Sequence, residues 1–174
     1  MKRIGIFAGT FDPIHQGHIA FCLAAAEKCG LNTVYLLPEP TPRNKQNVTS
    51  ITQRVQQINE AIEPFPELEV VLLDEEQFSV SRTLPNLHKK FPDAAITLLI
   101  GSDIACYSFA KWPRLDTLLQ TTDIAIGIRS AHSEGEVTHA MDQLQHKSPA
   151  LHYCLVTTPY SHLSSSVIRT EVRP

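Results

Sequence analysis

"GTFDPIHQGH", Gly9–His18, follows directly on the apolar run "RIGIFA", Arg3–Ala8. The run reads as a short buried strand. Gly9 and Thr10 break it, and Asp12-Pro13 is a turn signal. Beyond Gly17 the pattern changes period. Ile19, Leu23 and Ala26 recur at helical spacing with Cys22 and Cys29 on much the same stripe, and Gly30 stands where a helix C-cap wants a glycine. The stretch is a strand, a tight Gly/Pro loop and a helix start. His15 ends the loop and His18 falls in the first helical turn. Both lie near free backbone N–H groups and the positive end of the helix dipole, which together attract anions.

Three readings of the histidine pair are open on residue types alone. Phosphate binding fits the loop of Gly, Phe, Asp-Pro and Gly. Metal coordination is disfavoured, because no third ligand or pair of cysteines stands nearby at suitable spacing. Simple capping would account for one histidine more readily than for two.

The chain has 174 residues and an ordinary globular composition, which suggests a single domain over residues 1–174. Its formal net charge of -3 gives no electrostatic case for bulk nucleic acid or an anionic membrane. No apolar run approaches a membrane span. The N-terminus "MKRIGIFAGTF" turns into glycine and Asp-Pro after a few residues and does not read as a signal peptide. Cys22, Cys29, Cys106 and Cys154 show no CxxC spacing and are expected as reduced, mostly buried thiols in a cytoplasmic protein.

Further along, strands and helices alternate. Strands are expected at Thr33–Pro38, "LEVVLLD" (Leu68–Asp74), Ala95–Gly101, Asp123–Arg129 and His152–Thr158. Ile51–Ile62 carries a helical stripe of Ile51, Val55, Ile58 and Ile62. "TLPNLHKKF" reads as a helix with Thr83 as N-cap and Pro85 in its first turn. Short helices flank Trp112, and another covers roughly Glu134–Gln145. Near-continuous apolar strands alternating with helices imply an α/β fold, a Rossmann-like doubly wound parallel sheet with helices on both faces. Sites in such sheets lie at the carboxyl ends of the strands. Gly9–His18, Lys45, Gly101–Asp103 and "SHLSSSVIR" (Ser161–Arg169) all follow strands, so they are expected to meet in one crevice. The polar, proline-punctuated loop Pro40–Thr49 is expected to close over bound phosphates and bring Lys45 in.

"GTFDPIHQGH" resembles the GxFDPxHxGH motif of the nucleotidyltransferase superfamily of adenylyl- and cytidylyltransferases. "LSSSVIR" (Leu163–Arg169) is similar to its second signature, usually ISSTxIR. Between them "GSD" (Gly101–Asp103), "KWPRLDTLL" (Lys111–Leu119) and "SRTLPNLHKKFPDAAITLLIGSD" (Ser81–Asp103) resemble the nicotinate mononucleotide adenylyltransferase branch. The resemblance runs from about Met1 to Arg169.

The resemblance implies that ATP and a pyridine mononucleotide give a dinucleotide and pyrophosphate, by in-line attack on the α-phosphorus without a covalent enzyme intermediate. It places Gly9, Thr10, Phe11, His15, His18, Ser164, Ser165, Ser166 and Arg169 on ATP, with the histidines, serines and Arg169 on its phosphates. Gly101 and Asp103 fall at the adenosine ribose, although Asp103 could also cap the following helix. Trp112 falls on the pyridine ring, Lys45 in the phosphate loop, and Thr83 and Leu84 beside the mononucleotide. His15, His18, Lys45 and Arg169 are the expected catalytic residues. Mg²⁺ is implied as a companion of ATP, without a protein cage. The chemistry of the side chains agrees: hydroxyls and an arginine fork donate to phosphate oxygens. A helix starting at Thr83–Pro85 would favour the carboxylate of nicotinate, more so if Arg82 pointed inward.

Three segments depart from the family pattern. The usual Pro-Pro-His-Lys run stands here as "TPRNK" (Thr41–Lys45), and the common Tyr-Thr-x-Asp-Thr-Leu stretch as "SVSRTL" (Ser79–Leu84). The sequence also stops at Pro174, where many members carry a further helix. The alternatives to the nicotinate enzyme are a nicotinamide mononucleotide adenylyltransferase, another adenylyl- or cytidylyltransferase of the superfamily, and a nucleotide-binding protein without turnover. Pantetheine-phosphate adenylyltransferases usually carry threonine where this chain has His15.

Overall fold

The computed structural model describes residues 1–43 and 45–172, so Asn44 of the "TPRNK" run and the terminal Pro174 lie outside the described residues. Six strands form one sheet: β1 Lys2–Gly9, β2 Thr33–Pro38, β3 Leu68–Val70, β4 Ala94–Gly101, β5 Thr122–Gly127 and β6 Tyr153–Val156. Their spatial order is β3-β2-β1-β4-β5-β6, and every neighbouring pair is parallel. The helices are α1 Gln16–Cys29, α2 Ile51–Ile62, α3 Thr83–Lys90, α4 Ser102–Tyr107, α5 Leu115–Leu119, α6 Glu134–Lys147 and α7 Ser165–Val172.

The two-residue period of the strands sorts the core into two layers. Ile4 and Ile6 of β1, with Tyr35 and Leu37 of β2, pack with Leu84 and Leu87 of α3 and with Val137 and Met141 of α6. The intervening Val34 and Leu36 of β2, with Leu99 of β4, pack with Ile19, Cys22 and Ala25 of α1 and with Ile58 and Ile62 of α2. Both faces are therefore covered, as the apolar strands require. The chain runs outward from β1 to β3 and then returns to β4 on the other side of β1. Strand order reverses between β1 and β4, and in such sheets a crevice opens beyond the carboxyl ends at that point. Gly9 ends β1 and Gly101 ends β4.

Three local expectations are corrected. β3 is shorter than expected: its pairing with β2 ends at Val70 opposite Leu36, and only the Val71 N–H still reaches the Leu36 carbonyl, at 3.0 Å. Arg82, not Thr83, is the N-cap of α3; Thr83 is fully buried and its hydroxyl accepts from the Ser79 N–H at 2.9 Å. Gly101, not Asp103, caps α4, with Asp103 in its first turn. Cys29 at the end of α1 and Cys154 in β6 lie side by side although 125 residues apart in sequence, because α1 lies across β6; Cys22 and Cys106 stand apart from them.

Candidate active site

The loop after β1 turns through Phe11, which is buried with φ 50°, a left-handed conformation uncommon for a bulky residue. Its ring packs edge-on against Phe7 and His18, with centroids 5.3 and 5.1 Å away. His15 caps α1 in an extended conformation, and its ring stacks on His18 at 3.7 Å. Gly17 allows this: a Cβ there would stand 3.0 Å from His15 Nδ1 and 3.3 Å from Leu163 Cβ. The His15 backbone N–H donates to His18 Nδ1 at 3.3 Å. An acceptor at Nδ1 puts the proton of a neutral ring on Nε2, leaving that N–H to donate elsewhere. Both ring nitrogens of His15 are buried without a hydrogen-bond partner.

Burial, then the charge of Arg129, lowers the His15 pKa to about 4. His18 is held well below its usual value by burial first, then by His15, Arg129 and Lys45. The two rings are thus neutral at pH 7 and sit among cations, so the local field favours an incoming anion.

The second signature folds onto this loop. Ser165 Oγ donates to the Pro13 carbonyl at 3.0 Å, and the Arg169 guanidinium donates to the Asp12 carbonyl and, at 3.3 Å, to Ser166 Oγ. Segments about 150 residues apart become two walls of one crevice of about 570 Å³. Gly9, Thr10, Phe11, His15 and His18 line it from one side, and Ser164, Ser165 and Ser166 from the other. Gly101, Asp103 and Trp112 line it as well. Trp112 packs against Phe78 and Phe109, with ring centroids 5.9 and 5.2 Å away.

Lys45 also lines the crevice, its Nζ donating to Thr10 Oγ1 at 2.8 Å. Its pKa is lowered chiefly by burial and then by Arg169, against the opposing pull of Glu39 and Asp12. The loop expected to swing Lys45 inward is already fastened. Thr41 N–H donates to Glu76 O at 3.1 Å, Arg43 Nε to Gln77 Oε1 at 2.7 Å, and Thr49 N–H to Asp12 Oδ2 at 3.1 Å.

Two expected site residues stand apart from the lining. Thr83 and Leu84, at the start of α3, are buried in the core, with Arg82 exposed beside them. Arg169 donates to the backbone of the first loop and to Ser166 Oγ at the crevice wall, and it is near enough to Lys45 to lower its proton affinity.

Two arginines escaped the sequence reading. Arg129, beyond β5, lines the crevice and pairs with Asp103 Oδ2 at 3.3 Å. A basic residue directly after an apolar strand was the available signal. Arg54 of α2 is fully buried. It donates to the carbonyls of Thr10, Glu39, Pro40 and Thr49 at 2.7–3.1 Å. Its side chain ties together the loops after β1 and β2. Among the described residues no group of three or more His, Cys, Asp or Glu side chains could hold a metal ion, and no helix is long and apolar enough to cross a membrane.

A family model for cytidylyltransferase-like proteins matches residues 6–171. The chain is 32% identical over 177 residues to nicotinate-nucleotide adenylyltransferase of Bacillus subtilis, covering 99% of this chain and 82% of that protein. Two structures of nicotinic acid mononucleotide adenylyltransferase from Plasmodium falciparum share the fold. The one complexed with NaAD has a TM-score of 0.77 at 18% identity, and the one complexed with APC 0.74 at 19%. Each alignment covers 98% of this chain and 83% of the other.

Proposed function

The chain belongs to the cytidylyltransferase-like family and is a nucleotidyltransferase of the nicotinate-nucleotide adenylyltransferase kind, and from that premise we propose how its crevice joins ATP to nicotinate mononucleotide. The products are nicotinate adenine dinucleotide and pyrophosphate. One observation carries the site assignment: the stacked His15–His18 pair and the start of α7 face a single crevice at the strand-order reversal.

The mononucleotide phosphate attacks the ATP α-phosphorus in line, and pyrophosphate leaves. Atoms and charge balance without a covalent enzyme intermediate, so the protein's work is positioning and charge stabilisation. His18 Nε2–H donates to an oxygen of the transferring phosphate. His15, whose ring nitrogens lack protein partners, takes a second phosphate oxygen. An unpaired buried polar group costs about 1–3 kcal/mol, and phosphate binding removes that penalty. The hydroxyls of Ser164–Ser166 and the backbone N–H groups at the start of α7 hold the departing pyrophosphate. Lys45 bridges the two substrates beside Thr10, Asp103 and Gly101 meet the adenosine ribose, and Trp112 stacks on the pyridine. Mg²⁺ arrives with ATP as part of the substrate.

The nicotinate form as substrate rests on the name of the Bacillus subtilis relative, not on α3, since Thr83 and Leu84 lie outside the crevice. The test is pyrophosphate release with ATP, Mg²⁺ and nicotinate mononucleotide. Release that requires the mononucleotide supports the reading; release from ATP and water alone, or none, overturns it.

A further inference from the structure

Arg129 and Asp103 occupy the crevice as partners of each other. Arg129 Nε is 3.6 Å from where a Cβ on Gly101 would stand, so the side chain lies over the end of β4. Its Nη1 is 3.3 Å from Asp103 Oδ2. The second oxygen, Asp103 Oδ1, lies 3.5 Å from Nδ1 of the buried His132. His132 is itself held by Ser102 Oγ at 3.2 Å and the Tyr107 hydroxyl at 3.0 Å. The carboxylate therefore has a fixed side, toward His132, and a side facing Arg129.

The Arg129–Asp103 pair is not a buried structural bridge. The two side chains are 41% and 47% exposed, and ion pairs at that exposure hold weakly. Arg129 is also close enough to His15, His18 and Lys45 to lower the proton affinity of all three. It stands between the carboxylate and the cationic end of the crevice. A nucleoside triphosphate offers both complements at once: anionic oxygens for a guanidinium fork and ribose hydroxyls for a carboxylate.

We propose that ATP exchanges this ion pair, Arg129 turning its guanidinium from Asp103 to the phosphates and thereby freeing the carboxylate to accept from the ribose hydroxyls. The inference rests on the reading that ATP occupies the crevice. Its signature is dependence on the phosphates. Adenosine must break the pair and gives Arg129 nothing in return, whereas ATP supplies both partners.

Calorimetric titration of adenosine, AMP and ATP into the wild type, Arg129→Gln and Arg129→Lys distinguishes the possibilities. Arg129→Gln is expected to weaken ATP by roughly ten- to a hundredfold, the scale of a charge-assisted hydrogen bond. Adenosine should bind unchanged or more tightly, because Asp103 is already released. Arg129→Lys should recover part of the ATP loss, and with Arg129→Gln the KM for ATP should rise far more than that for the mononucleotide. An equal loss for adenosine and ATP, or no loss for ATP, overturns the exchange. A wild type that binds no ATP and releases no pyrophosphate overturns the underlying reading as well.

Discussion

His18 combines three constraints in one ring: the His15 N–H at Nδ1, the edge of Phe11, and the His15 imidazole stacked on its face. They leave Nε2–H as the free polar edge. Removing one preorganised donor of this kind typically costs about 10²–10³ in rate. His18→Ala is expected to stay folded by circular dichroism and to lose turnover on that scale; near-wild-type turnover would remove the residue from the mechanism. His15 makes a separate demand on pH. The folded protein holds it neutral down to about pH 4, whereas the unfolded chain takes up a proton near 6.5. Between these values the unfolded state binds more protons, so stability falls as pH drops through the window. Thermal melts should show Tm declining from pH 6.5 to 4, with a shallower decline in His15→Gln. Saturating ATP should also flatten the wild-type curve, because bound phosphate raises the proton affinity of His15. A His15→Gln curve parallel to the wild type contradicts the assigned burial.

At the scale of elements, the site depends on two loops held by one side chain. Arg54 satisfies four carbonyls from the ends of β1 and β2 and the start of α2. Arg54→Met leaves them short of donors at about 1–3 kcal/mol for each unsatisfied group, not additively. At roughly 2–4 °C per kcal/mol for a domain of this size, the Tm should fall by about 10 °C, and Arg54→Lys should recover only part. An unchanged melt would show that the bracket is dispensable. Local periodicity made several elements legible. The stripe Ile51, Val55, Ile58, Ile62 gave α2 its observed limits, and Thr33–Pro38 is β2 as expected. The same periodicity could not reveal Arg54 as buried, because its partners are backbone groups up to 44 residues away. It failed at Val71–Asp74, where an edge strand with one neighbour runs out of pairing although the chain stays apolar. Thr83 was misplaced for a similar reason: its hydroxyl serves Ser79 inside the core, which a sequence pattern cannot separate from a cap.

For the whole molecule, the order β3-β2-β1-β4-β5-β6 brings the end of the first strand beside the end of the fourth. Most of the site follows from that topology. The two signature motifs were legible because each sits at a strand-to-helix junction, and the sheet carries both junctions to one edge. Arg129 was not legible, since its importance lies in pairing with Asp103 across two adjacent strands. The same crevice lines up Arg43, Lys45 and Arg129 against Glu39 and Asp103, a surplus of cations with the histidines neutral. That balance suits substrate phosphates, and the nicotinate form is expected from the likeness to the Bacillus subtilis enzyme. The most direct measurement is kcat/KM for nicotinate and nicotinamide mononucleotides at equal ATP and Mg²⁺, read as pyrophosphate and identified dinucleotide. The nicotinate form is expected to be preferred by roughly ten- to a hundredfold, the scale of one charge-assisted contact; equal values, a preference for the amide, or no dinucleotide from either would contradict this reading.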